Sequence, residues 1–191
     1  MEQIKLNEQD IIFLEENYPR LTYDQLNNTI SGMLNFHRSY NDKPIKGNYS
    51  IEFKMENSHG SILPKVRETK GKILSMAKRK KKLKADFHLN SDNGDLCLIF
   101  PIKEKEHYPN GFEFKRFLNH LETHFYWITY YDRYNKKPWK DEPHNPEEAL
   151  IEAVKDNKIY RNELKAVVEN KEKRKLSRPE FRRYLKGKNI L

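Results

Sequence analysis

Polar and apolar positions alternate most regularly over residues 49–55, where Tyr49, Ile51, Phe53 and Met55 fall on one face at period two. That is the pattern of a half-buried strand. Residues 30–40 read as a strand before it, across a turn at Asn41-Asp42-Lys43-Pro44. A third strand begins near Val66, and a fourth ends at His88. Upstream, Asn7 and Asp10 have capping-box spacing, with Leu6 and Ile11 as the matching hydrophobic staple. Ile11, Ile12 and Leu14 supply the apolar face of that first helix, and Tyr18-Pro19 ends it. Downstream, Leu98-Ile99-Phe100-Pro101 leads into a polar loop. Phe114, Phe117, Leu118 and Leu121 then follow the i, i+3, i+4, i+7 rule of a long helix continuing through Phe125 and Ile128. Aromatic residues crowd positions 126–134 and Trp139, which reads as core and edge packing. Later apolar stripes are Leu150, Ile151 and Val154, then Leu164, Val167 and Val168, then Phe181, Tyr184 and Leu185 behind Arg178-Pro179. The elements imply an α+β fold: an N-terminal helix, a four-stranded antiparallel sheet, then helices.

Charge changes this picture at two places. The net charge is +9, yet residues 1–28 carry six acids and two bases, while residues 158–191 carry 12 bases and four acids. Basicity therefore belongs to the tail rather than to a uniform nucleic-acid-binding body. The expected division is a domain over 1–157 and a basic helical extension over 158–191. The second place is the internal run Lys78, Arg79, Lys80, Lys81, Lys82 and Lys84, broken only by Leu83. Placed between the third and fourth strands, it reads as a solvated hairpin tip that protects a sheet edge. Its functional reading is docking to an acidic partner surface or to nucleic acid. No stacking aromatics interleave the run, which weakens the nucleic-acid version.

One cysteine in 191 residues rules out an intrachain disulfide. The apolar runs are too short for a membrane span or a signal peptide, so a reducing cytoplasm is the expected setting. No glycine-rich phosphate loop, internal repeat or heptad run is present, and no cofactor is expected. His120 and His124 share a helix face, but Leu121 stands where a zincin pattern requires Glu, so no metal site is expected.

The cysteine has the most specific surroundings. Cys97 lies between Leu96 and Leu98, just after the turn sequence Asp92-Asn93-Gly94, with His88 and Asn90 upstream. If the two leucines face a core, the sulfur faces away from it. The expected arrangement is an extended arm carrying His88 and Asn90, a reversal, and Cys97 displayed beside the arm. A displayed thiol with a nearby amide suits acyl transfer, in which the thiolate holds a carbonyl and a side-chain N–H stabilises the oxyanion. Asn90 is the candidate donor. His88 is either a general base or a structural pin for the arm. His144, in the loop Asp141-Glu142-Pro143-His144-Asn145-Pro146, is a further candidate reaching the site from outside the motif. The bland alternative is a cysteine used as a small buried hydrophobe.

The segment His88-Leu89-Asn90, Gly94, Leu96-Cys97-Leu98 resembles the active site of ubiquitin-conjugating enzymes: His-Pro-Asn, a short polar turn with Gly, then Ile/Leu-Cys-Leu. Leu89 stands in place of the proline, and the Asn-to-Cys spacing is one residue shorter. Ile45-Lys46-Gly47-Asn48-Tyr49-Ser50-Ile51-Glu52-Phe53 and Leu63-Pro64-Lys65-Val66-Arg67-Glu68 are similar to divergent bacterial members, including those encoded beside cyclic-oligonucleotide synthases in anti-phage (CBASS) operons. The resemblance implies a ubiquitin-conjugating-like fold and a thioester on Cys97. It also implies a protein substrate, namely the C-terminal tail of a cyclic-oligonucleotide synthase. The rival class is a non-catalytic adaptor of the same fold that binds an acidic protein or nucleic acid through its basic tail.

Overall fold

The computed structural model describes residues 3–58, 60–140, 143 and 145–191. The chain forms two compact units, Met1–Asp141 and Glu142–Leu191.

The first unit opens with helix α1, Glu8–Asn17, started by the expected cap: the Asp10 N–H donates to Asn7 Oδ1 at 2.8 Å. Leu14 is buried, but Ile12 points to solvent and Phe13 takes its place against the core. Four antiparallel strands follow in the order β1 (Leu21–Asp24), β2 (Thr29–Tyr40), β3 (Lys43–Lys54) and β4 (Val66–Glu68). The β2–β3 hairpin reverses at Asn41 and Asp42, both at positive φ, a conformation these two residue types tolerate. Tyr49, Ile51 and Phe53 face inward as their spacing predicts, and Met55 is buried just beyond the strand end.

Helix α2 (Lys72–Arg79) follows β4, then a 3-10 turn at Lys84–Phe87, α3 (Pro101–His107) and α4 (Phe114–Tyr134). The long helix closes the core. Phe125 stacks on Tyr49 with ring centroids 4.2 Å apart, and Phe117 meets Phe53 edge-on at 5.4 Å. Burial of each such ring contributes about 1.5–3 kcal/mol. The crowded aromatic stretch is core as expected, with Tyr126, Trp127, Tyr130 and Tyr131 all buried.

Three expectations for this unit need correction. No strand ends at His88; the fourth strand is Leu21–Asp24, too short to announce itself by alternation. The stretch expected to lead into it is α2, which buries Ile73, Met76 and Ala77 at helical spacing. Gly71 offers no side chain to cap α2, and the buried Glu68 carboxylate accepts the N–H groups of Lys70 and Ile73 instead. The basic run is therefore not a hairpin tip. It is the last turn of a helix and its exit, where cations oppose the helix dipole favourably. The third correction is the polar loop after Cys97, which begins as α3 with Pro101 at its first position, where a missing N–H costs nothing.

The second unit contains α5 (Pro146–Asp156), α6 (Arg161–Glu172) and α7 (Arg178–Gly187). Its small core holds Leu150, Val154, Leu164, Val168 and Leu185. Glu147 gathers the Lys171 ammonium at 2.5 Å and the Tyr184 hydroxyl at 2.9 Å, tying α5 to α6 and α7. The division between the units falls at 141/142, and within the second unit α5 packs with α6. Among the described residues, no helix is long and apolar enough to cross a membrane.

Candidate active site

The Cys97 segment folds as a miniature hairpin. Leu89 and Leu96 form an antiparallel bridge; the Asn90 N–H donates to the Asp95 carbonyl and the Cys97 N–H to the His88 carbonyl, both at 2.8 Å. Leu96 and Leu98 are buried while Cys97 between them is half-exposed, so the alternation expected from sequence is present. The hairpin is docked on the sheet by Leu96 N–H to Val66 O at 2.9 Å and Glu68 N–H to Gly94 O at 2.8 Å. Gly94 has φ +89°, and a Cβ there would run into the Glu68 carbonyl oxygen. Only glycine satisfies both the left-handed backbone and the close approach.

The turn itself is held by Ser91 and Asp95, which the sequence motif did not single out. The Ser91 hydroxyl donates to Asp95 Oδ2 at 2.7 Å and accepts the Asn93 N–H at 3.2 Å. Lys65 adds an ion pair to Asp95 at 3.0 Å. Burial alone would raise the Asp95 pKa, but the Ser91 hydroxyl and the Lys65 ammonium outweigh it and hold the carboxyl below its ordinary value. Ser91 and Asp95 bracket the turn four residues apart; that turn chemistry was legible, whereas Lys65 comes from a distant loop.

Cys97 opens onto a cleft of about 220 Å³. Asn90, Leu96, Leu98 and Ile99 of the hairpin and its exit line it, together with Ser61, Leu63, Pro64 and Lys65 from the segment before β4 and Pro101 and Glu104 from α3. The exposed Asn90 amide donates to the carbonyl of Leu96, the residue preceding Cys97, at 3.1 Å. The bond fixes the amide to the backbone of the residue before Cys97. The amide carries two N–H donors, and this bond occupies one.

The other expected residues lie elsewhere. The His88 ring is buried, edge-on to Trp127 at 4.5 Å between centroids and to His124 at 5.3 Å, and it does not line the cleft. The ring packs in the core while the His88 carbonyl accepts the Cys97 N–H. His144 lies outside the described residues. In the basic run, Arg79 makes two hydrogen bonds to Asp132, at 2.6 and 2.7 Å, and Lys84 pairs with Asp92 at 3.0 Å. Lys78, Lys81 and Lys82 are exposed and Lys80 is half-buried, all away from the cleft lining.

His120 is bonded to the Tyr108 hydroxyl through Nδ1 at 2.9 Å. Burial first, then the nearby His107 and Arg116 charges, lower its pKa to about 4, so the imidazole is neutral at physiological pH. Among the described residues, no group of three or more His, Cys, Asp or Glu is arranged to hold a metal ion. Comparison with protein-family models, with curated proteins and with solved structures finds no match for this chain.

Proposed function

We propose that this protein is a ubiquitin-conjugating-like acyl transferase in which Cys97 carries a partner protein's C-terminal acyl group as a thioester and passes it to an amine. The observation that carries the reading is the shared rim: the half-buried Cys97 and Asn90 line one cleft, and the Asn90 amide is bonded to the carbonyl of Leu96, the residue before the cysteine. The α+β order of helix, four-stranded antiparallel sheet and following helices supports a ubiquitin-conjugating-like domain.

The Cys97 thiolate attacks a carboxyl already activated elsewhere, as a thioester or an acyl adenylate. A C–S bond forms and the donor's leaving group departs with its electron pair. An amine then attacks the same carbon, a C–N bond forms, the thiolate leaves, and the amine's proton passes to water. The protein contributes alignment and, through the remaining Asn90 N–H, charge stabilisation of the tetrahedral oxyanion. By resemblance, the carried protein is a cyclic-oligonucleotide synthase, and the transfer regulates it in anti-phage defence.

The test is incubation with that synthase and an activating extract. The expected result is an adduct that thiol reductant removes and Cys97→Ala abolishes. Asn90→Ala should spare loading and slow discharge to an amine by about 10²–10³. No adduct, together with salt-sensitive binding that is lost with the tail, would replace the transferase by the adaptor.

A further inference from the structure

Glu104 is only 4% exposed and stands one helical turn into α3, the helix that begins four residues after Cys97. Both of its oxygens are engaged by a segment more than forty residues away. Oε1 accepts the Ser61 hydroxyl, and Oε2 accepts the Ile62 N–H at 2.9 Å. Ser61 Oγ in turn accepts the Leu63 N–H at 3.0 Å. Three successive residues thus hang from one carboxylate. Ser61, Leu63 and the following Pro64 form part of the cleft wall, and Glu104 itself lines the cleft.

The helix that carries Glu104 is itself anchored. Its last turn closes with the Tyr108 N–H donating to the Glu104 carbonyl at 2.6 Å, and the buried Tyr108 ring reaches His120 on α4. A buried carboxylate is costly unless its acceptors are filled. Here the same bonds that fill them determine where the wall stands. An apolar side chain of equal size would fill the space without fixing the wall's position, because hydrophobic contact is not directional.

We propose that Glu104 is a positioning residue: it holds the Ser61–Leu63 segment closed against the Cys97 cleft and so sets the width of the passage to the sulfur. This assignment deepens the transferase reading, and its catalytic consequence rests on that reading. Its geometric content does not.

Cys97 is the only thiol in the chain, so alkylation of the full-length protein reads one site. The rate with a small reagent, iodoacetamide, is compared with that of a maleimide bearing a long polyethylene glycol. Glu104→Gln has a single acceptor oxygen, so it can serve the Ser61 hydroxyl or the Ile62 N–H but not both, and neither bond keeps its charge assistance. Loss of one charge-assisted bond corresponds to about a tenfold rise in the open population. The expected result is therefore a rise of about tenfold in the bulky-to-small rate ratio, with faster hydrogen exchange at the Ile62 and Leu63 amides. Ser61→Ala should shift the ratio in the same direction, and the double variant should exceed Glu104→Gln by less than the sum. General loosening would raise both rates together and leave the ratio alone.

An unchanged ratio in a folded Glu104→Gln overturns the assignment. If that variant does not fold, an unchanged ratio in Ser61→Ala does so. Failure of the wild-type protein to form an adduct removes the transferase reading while leaving the ratio shift intact. An unchanged ratio alongside normal adduct formation removes only the role of Glu104.

Discussion

The turn before Cys97 and the basic run at the end of α2 are neighbours in sequence, both strongly polar, and built on opposite principles. From Ser91 to Asp95, polar groups are committed to named partners. Ser91 holds Asp95 and the Asn93 N–H, Lys65 holds Asp95, and Gly94 lies against the Glu68 backbone. Among the described residues, only Arg79 and Lys84 of the run from Lys78 to Lys84 have carboxylate partners, Asp132 and Asp92, and most of the other charges stand in water. The run dominates the composition, but the turn dominates the geometry. Charge density marks where a chain is solvated. Directional bonds in a confined space mark where it is positioned.

The strongest test of that contrast is Gly94→Ala. A Cβ would collide with the Glu68 carbonyl oxygen at a backbone angle that L residues avoid, so we expect a loss of about 3 kcal/mol or more in urea denaturation. A loss under about 1 kcal/mol would show the turn to be as plastic as the basic run.

A second test uses acid. The folded Asp95 carboxyl titrates below its ordinary 3.8. Its contribution to stability is thus fully present above that value and is lost as pH falls through the lower folded value. Asp95→Asn should flatten the fall in thermal midpoint as the solution is acidified below the ordinary 3.8. An unchanged acid slope would detach Asp95 from the turn's stability.

The smallest effects belong to the basic run. Arg79→Ala should cost about 0.2–1 kcal/mol, as for a largely exposed ion pair, and should weaken further in salt. Lys78→Ala and Lys82→Ala should stay within about 0.5 kcal/mol in the same denaturation assay. A larger cost at any of these lysines would mean that the run is built like the turn.

The central hairpin was legible because Tyr49, Ile51 and Phe53 keep period two over a long strand, with Asn41-Asp42 marking its reversal. Helix α4 was legible because its apolar stripe runs for several turns. Four residues of β1 and seven of α3 carry too few periods for a pattern to stand out. In α2, the lysines at the end concealed a short face of Ile73, Met76 and Ala77. The site divides in the same way. Leu96-Cys97-Leu98 and the Asp92-Asn93-Gly94 reversal could be read locally, together with Asn90 as the neighbouring amide. The partner that amide takes, the Leu96 carbonyl, and the burial of the His88 ring depend on what packs beside them.

By itself, then, the chain's order of residues determined the sheet's central pair, the long helix, and a cysteine turned outward between two inward leucines. Those features follow from backbone periodicity, which acts over a few residues. Tertiary structure alone decided that Glu104 would meet Ser61, that Lys65 would meet Asp95, and that α5 would join the tail. Each of these depends on surfaces far apart in sequence being desolvated together, and no local pattern encodes which distant carboxylate will fill a given N–H.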